Sequence, residues 1–184
     1  MYLWVIDKQP KKARSLIGIV PQEIVTDTFF PLWQALEFTA GYFGIKPANR
    51  ITDQLLKTLS LYDKRNSLPQ RLSGGMKRRF LIAKAMVHSP NILVLDEPTN
   101  DLDVDTLNVL QDCLSDFDGA VLLVTHDRYF LDQVATEILA FPSTPEDRGH
   151  ITAFAGLDQW ETWRKERMQN RKSAGKSSAQ EDEI

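Results

Sequence analysis

Cysteine is nearly absent. Cys113 stands alone among 184 residues, so the chain has no internal disulfide framework. Three histidines with no Cys/His cluster beside them leave nothing to hold a structural zinc. No apolar stretch approaches the roughly 18 residues of a membrane span. The opening Met1-Tyr-Leu-Trp-Val-Ile-Asp-Lys8 has too short an apolar run, and its charges in the wrong place, for a secretory signal. Charge of one sign is lacking as well. With 22 basic against 25 acidic side chains the formal net charge is −3, which gives no global footprint for nucleic acid, and DNA is not an expected partner. These absences point to a cytoplasmic, globular chain. Its length suits one domain plus a tail, enough to bury a core without staples.

What is present alternates between two textures. Leu16–Val20 is a short apolar run closed by Pro21, as in a buried strand that ends in a loop. Pro31 opens a helical pattern of Leu32, Leu36, Thr39 and Phe43, ended by Gly44. A second helix starts near Ile51 with Leu55, Leu56 and Leu59. Met76, Phe80, Ala83 and Val87 form the stripe of a third, after Leu72-Ser-Gly-Gly75. Ile92–Leu95 and Ala120–Val124 are uninterrupted apolar runs, with Leu107, Leu110, Leu114 and Phe117 at helical spacing between them. That is a βαβ unit in a parallel sheet covered on both faces. Two β-like runs follow, Ile138–Phe141 and Ile151–Phe154, then a charged helix from about Leu157 carrying Trp160 and Trp163. From Asn170 the polar composition predicts a disordered end.

Four places carry chemistry. Asp96-Glu97 follows the first βαβ strand, where open α/β sheets place their ligands; one carboxylate there can hold Mg²⁺ and the next can orient water. Ser73-Gly74-Gly75 running into Met76-Lys-Arg-Arg79 offers a helix N-terminus with bare backbone donors and nearby cations, suited to an anion. The bland alternative is a Ser cap, a Gly turn and a solvated basic face. His126 ends the second strand, where an imidazole can meet a phosphate or simply make structural hydrogen bonds. Gln22, after Pro21, presents a neutral amide to a metal or water, as any loop glutamine can.

The order of these pieces is more telling than any one of them. Gln22, Leu72-Ser-Gly-Gly75, Leu95-Asp-Glu-Pro98, Asn100-Asp-Leu-Asp103 and His126 follow the motif order of ABC-type ATPases, and over about Leu16–Trp163 the chain resembles the nucleotide-binding domain of an ATP-binding cassette protein. Gln22 matches the Q-loop glutamine, and Ser73, Gly74 and Gly75 match the signature. Asp96 and Glu97 match the Walker B aspartate and its catalytic glutamate, Asn100–Asp103 (with Asp101) the D-loop, and His126 the switch histidine.

The resemblance implies an α/β fold, a P-loop NTPase-like parallel sheet with an inserted helical subdomain at about residues 25–90. Residues 1–163 would form a partial cassette and 164–184 a charged, disordered tail. It implies ATP and Mg²⁺, with Asp96 and Gln22 toward the metal, Glu97 and His126 catalytic, and Gln22, Ser73, Gly74, Gly75 and Asp101 toward nucleotide. It further implies a head-to-tail pair with a second cassette, in which each signature serves the partner's ATP.

Two departures accompany the match. No Gly-x-x-x-x-Gly-Lys-Ser/Thr loop precedes Gln22, and residues 1–21 hold one glycine, Gly18. Gly175-Lys176-Ser177 resembles the end of such a loop but lacks the preceding strand that the loop needs. The fold therefore reads as truncated at its N-terminus, with exposed apolar sheet and an unpaired edge. Tyr2–Ile6 is a candidate for the missing strand. Second, Ile19–Arg79 resembles exporter ATPase subunits, whereas Asn100–Trp163 resembles the ABC-F group, whose members lack a membrane domain and often act on ribosomes. The leading expectation is an ATP-hydrolysing exporter subunit working with a transmembrane permease on the cytoplasmic face of the inner membrane. The alternatives are an ABC-F-type ribosome-associated ATPase, or a half-cassette that lends its signature to a partner and hydrolyses nothing alone. For the ribosome, Arg164, Lys165, Arg167, Arg171 and Lys172 would meet RNA phosphates, the favoured alternative being a plain solvated helix face.

Overall fold

The computed structural model describes residues 8–24, 29–100, 102–141 and 150–181, with side chains described as far as Gln169. Tyr2–Ile6 and Asp101 lie outside the described residues. The chain divides into two compact units, Met1–Phe130 and Leu131–Ile184.

The first unit is built on three parallel strands, β1 (Ile17–Val20), β2 (Ile92–Asp96) and β3 (Ala120–Val124), in that order across the sheet. The register pairs Val20 with Leu95 and Asp96 with Val124, so all three strands reach one carboxyl edge together. The short helix α1 (Pro10–Ser15) precedes β1. Between β1 and β2 the chain inserts α2 (Leu32–Tyr42), α3 (Thr52–Thr58) and α4 (Gly74–Met86), with single-turn helices at Pro47–Asn49, Tyr62–Lys64 and Pro69–Arg71. Helix α5 (Val104–Ser115) crosses from β2 to β3, which completes the βαβ unit that the apolar runs anticipate.

Sequence chemistry sets these boundaries. Pro31 stands at the N-cap of α2 rather than inside it, and Gly44, at φ +76°, supplies the left-handed turn past its end. Leu32, Ala35, Leu36 and Ala40 bury one face of α2 against Leu55, Leu56, Leu59 and Leu61. Arg50 Nη1 donates to Glu37 Oε2 at 2.6 Å, and the Thr52 hydroxyl donates to the same carboxylate. Burial raises the Glu37 pKa, but the bonds from Thr52 and Arg50 outweigh it and hold the carboxyl below its usual range. Gly18 is required by packing, because a Cβ there would run into the carbonyl of Ala85, so β1 and α4 meet backbone to backbone.

The sheet is not covered on both faces, as its uninterrupted apolar runs suggest; apolar side chains are exposed on β1 and β3. Ile19 is 64% exposed, and Val121, Leu122 and Val124 on β3 are 37%, 47% and 50% exposed. Among the described residues β3 pairs with β2 alone, leaving its outer edge open.

Helix α6 (Arg128–Val134) leads into the second unit, in which β4 (Ile138–Ala140) pairs antiparallel with β5 (Thr152–Phe154). Helix α7 (Leu157–Glu181) packs Trp163 on Phe154 with ring centroids 5.3 Å apart. Its backbone stays helical through residues 164–181, which composition assigned to a disordered tail. Apart from Gly175 the run is rich in Lys, Gln, Arg and Ala, all good helix formers. Gly175-Lys176-Ser177 therefore sits in a helix, not in a loop between a strand and a helix.

Candidate functional site

The parallel register delivers Gln22, Asp96, Glu97 and His126 to the loops at one end of the sheet, because each follows the last residue of its strand or closes it. Glu97 departs most from ordinary backbone. It lies in the left-handed region at φ +45°, which a non-glycine residue occupies at a cost of about 1–2 kcal/mol. Several contacts hold it there. Its N–H donates to Val124 O at 2.8 Å, continuing the β2–β3 ladder one step past the strand. Its Oε2 accepts from the His126 backbone N–H at 3.2 Å, and His126 Nε2 lies 3.4 Å from Oε1. Glu97 is 7% exposed, while the His126 side chain is 98% exposed. A strained, buried carboxylate thus faces an imidazole that is exposed to solvent.

The surrounding loop is pinned by hydroxyls. Thr99 Oγ1 and Thr125 Oγ1 lie 3.2 Å apart, and Thr125 Oγ1 also accepts from Asp127 N–H at 3.1 Å. Asp127 Oδ1 in turn accepts from Phe130 N–H at 3.0 Å, capping α6. These bonds fix the segment that carries His126. Asp96 is half-buried at the tip of β2, and Gln22 is exposed.

The signature residues stand on a different element. Ser73 caps α4 by accepting from Met76 N–H at 3.2 Å, and Ser73 and Gly74 are exposed. Gly75 is buried, since a Cβ there would meet Thr106 Oγ1 at 2.7 Å. Thr106 belongs to the first turn of α5, whose N-cap Asp103 accepts its N–H at 2.7 Å. The start of α4 is therefore packed directly on the first turn of α5. Of the predicted residues, the structure brings Gln22, Asp96, Glu97 and His126 to one edge and places Ser73, Gly74 and Gly75 at the neighbouring helix N-terminus.

The donor set suits a hard cation. Among the described residues no group of three or more His, Cys, Asp or Glu is arranged to hold a metal by protein ligands alone. Mg²⁺ does not need one, because it keeps several waters and takes one or two carboxylates together with substrate phosphates. Asp96, with the Gln22 amide nearby in the row, fits that pattern.

Sequence reasoning missed Arg78, reading it either as a cation beside an anion site or as part of a solvated basic face. It is 2% exposed and donates from Nη1 to Pro21 O and from Nη2 to Gln22 O, each at 2.7 Å. The signal was available: Gly75, Arg78, Ile82 and Ala85 recur at helical spacing as a second buried stripe of α4.

Comparison with known proteins identifies the family and the fold. The family described as ABC transporter matches residues 5–100, just over half of the chain. The ATP-binding protein Uup of Haemophilus influenzae is 48% identical over 85 residues, 46% of this chain and 12% of the relative. YfmR of Bacillus subtilis, an uncharacterised ABC transporter ATP-binding protein, is 48% identical over 87 residues, 47% of this chain and 13% of its own length. The energy-dependent translational throttle protein EttA of Haemophilus influenzae is 42% identical over 98 residues, 53% of this chain and 17% of the relative. The match thus spans under a fifth of each of these relatives. A solved ATP-binding subunit of an ABC transporter superposes with a TM-score of 0.64 at 24% identity, covering 73% of this chain and 58% of that one, and supports the fold.

Proposed function

The chain belongs to the ABC transporter family, and from that premise we propose that it is a Mg²⁺-dependent ATPase cassette acting in a head-to-tail pair, with its sheet edge serving one nucleotide and its signature serving the partner's. The observation that carries this reading is Glu97, buried and strained at the carboxyl edge, with its carboxylate against His126. Strain of this kind persists only where surrounding bonds enforce it, and the bonds of Glu97 to Val124 O and His126 N–H at the carboxyl edge support the reading.

Each residue has a role its chemistry can fill. Glu97 accepts a hydrogen bond from the attacking water and orients it in line with the γ-phosphate. His126, whose ring is exposed beside Glu97, donates to a phosphate oxygen. Asp96 and Gln22 would hold Mg²⁺, which when bound neutralises charge on the phosphate oxygens. Ser73 with the N–H groups of Gly74 and Gly75 presents an anion site at the start of α4. Asp101 belongs to the same reading through the D-loop.

The test is Glu97→Gln in the full chain. Equilibrium Mg-ATP binding should persist while hydrolysis falls by about 10²–10⁴-fold, the usual contribution of a positioned acid–base group. Equal hydrolysis by both proteins would sink the assignment.

For the biological role, similarity to Uup, YfmR and EttA over about half of the chain supports an ABC-F-type factor working with the translation machinery. The α7 face adds to it, with Arg164 and Arg167 held over the rings of Trp160 and Trp163 beside Lys165. Co-sedimentation with ribosomes at low salt that fades as salt rises is expected from phosphate contacts. A second reading, an exporter ATPase bound to a transmembrane permease, is favoured by the exposed aromatics around α2. Phe29, Phe30, Phe38 and Tyr42 are 84%, 40%, 52% and 89% exposed, a patch suited to an apolar partner. Absence from ribosome pellets, with recovery in a membrane complex lost on Phe38→Asp, would select that reading.

A further inference from the structure

Arg78 is a buried cation that the proposed chemistry does not use. It sits on α4 about one turn beyond Gly75, and its guanidinium bonds two successive carbonyls, Pro21 O and Gln22 O, more than fifty residues earlier in the chain. The planar fork of arginine matches two adjacent acceptors in a way no other side chain does. Desolvating a guanidinium is costly, and an apolar side chain of similar volume would fill the same space without that penalty. What the arginine adds is a fixed position for the loop that leaves β1. Beyond Val20 that loop has left the strand ladder, and Gln22 itself is exposed.

The same helix is also tied to the D-loop side. Gly75 lies against Thr106, and Arg79 is within electrostatic reach of Asp103. We propose that Arg78 is a positioning residue that fastens the glutamine loop to the signature helix, so that Gln22 and Ser73–Gly75 are held as one body. The proposal rests on the reading of Gln22 as a metal-facing residue. Gln22 would feel the metal at one nucleotide while Ser73–Gly75 meet the other, and Arg78 would be the link between them within one chain.

The experiment compares wild type, Arg78→Lys, Arg78→Met, Gln22→Ala and the Arg78→Met/Gln22→Ala pair in two readouts. Cleavage after Glu23 by a glutamate-specific protease should quicken about tenfold in Arg78→Met, the loss of a charge-assisted bond that pins the loop, with cleavage elsewhere unchanged and Arg78→Lys intermediate. In Mg-ATP binding, the Mg²⁺ concentration for half-saturation should rise several-fold in Arg78→Met and by a similar factor in Gln22→Ala, with no further rise in the pair. If Gln22→Ala raises the Mg²⁺ requirement and both Arg78 variants leave it unchanged, the positioning role is overturned while the site reading stands. Mg-ATP binding that is absent, or indifferent to Gln22→Ala, removes the metal-facing reading and the proposal with it. Should Arg78→Met fail to fold, Arg78→Lys carries both readouts, because it keeps the charge and loses the fork.

Discussion

At Glu97 stability and function pull against each other. Left-handed backbone is strained for a side chain with a Cβ and free for glycine. Glu97→Gly should therefore lose hydrolysis without losing the fold. Relief of about 1 kcal/mol of backbone strain offsets the lost bond from His126 N–H, which can turn to water on the exposed side. The expected melting temperature equals or exceeds that of the wild type. A fall of many degrees would mean that Glu97 is a structural residue held in place by packing. The identity of this residue was legible in the sequence from its place after an apolar strand. Its conformation was not, because positive φ at a glutamate leaves no mark in composition or spacing. Arg78 is the converse case. Its charge masks a buried position that the spacing of Gly75, Ile82 and Ala85 discloses.

At the scale of elements, apolar periodicity carried the reading. β1, β2, β3 and the helices between them fall within a few residues of where the runs and stripes put them, although the unbroken apolar runs overstate the burial, since β3 is largely exposed and only alternate residues of β1 and β2 are buried. What periodicity cannot supply is the joint between elements. His88, just past α4, stacks on Phe43 at the end of α2 with centroids 3.9 Å apart and planes 7° from parallel, while its Nε2 lies 3.2 Å from Ile17 O at the start of β1. Facing a carbonyl, Nε2 must donate, which leaves Nδ1 as the bare nitrogen; it is buried with no hydrogen-bond partner among the described residues. Protonation would place a charge and an unpaired N–H there. Burial accordingly pushes the His88 pKa down, only partly countered by the Ile17 carbonyl. A pKa lowered in the folded state means that the unfolded chain takes up the proton first. The stability tied to this joint is whole above about pH 6.5, the value for an unperturbed imidazole, and declines as pH falls below it. Thermal unfolding from pH 8 to pH 5 should show that decline in the wild type and a flatter profile in His88→Phe, which keeps the stack on Phe43. Identical slopes in the two proteins would remove His88 as the cause.

For the whole molecule, the consequential feature is the edge of the sheet. Among the described residues β3 pairs with β2 alone and carries apolar side chains along its other edge. An apolar strand with unpaired N–H and C=O groups is a template for another chain. Val121, Leu122 and Val124 add exposed side chains to that backbone, and Ile19 exposes more apolar surface on the same sheet. The 184-residue chain should therefore self-associate through β3 without nucleotide, in a concentration-dependent manner and with little response to salt. Leu122→Lys tests this where it is least damaging. The side chain is 47% exposed, so losing its remaining burial costs on the order of 1 kcal/mol, while a lysine along the edge repels a second copy. Light scattering after size exclusion should show the variant shifted toward monomer with a melting temperature within a few degrees of the wild type. A basic α7 or the aromatics around α2 would instead leave the association of Leu122→Lys intact. Salt would then separate those two, dissolving contacts made by Arg164 and Lys165 and sparing those made by Phe29 and Tyr42.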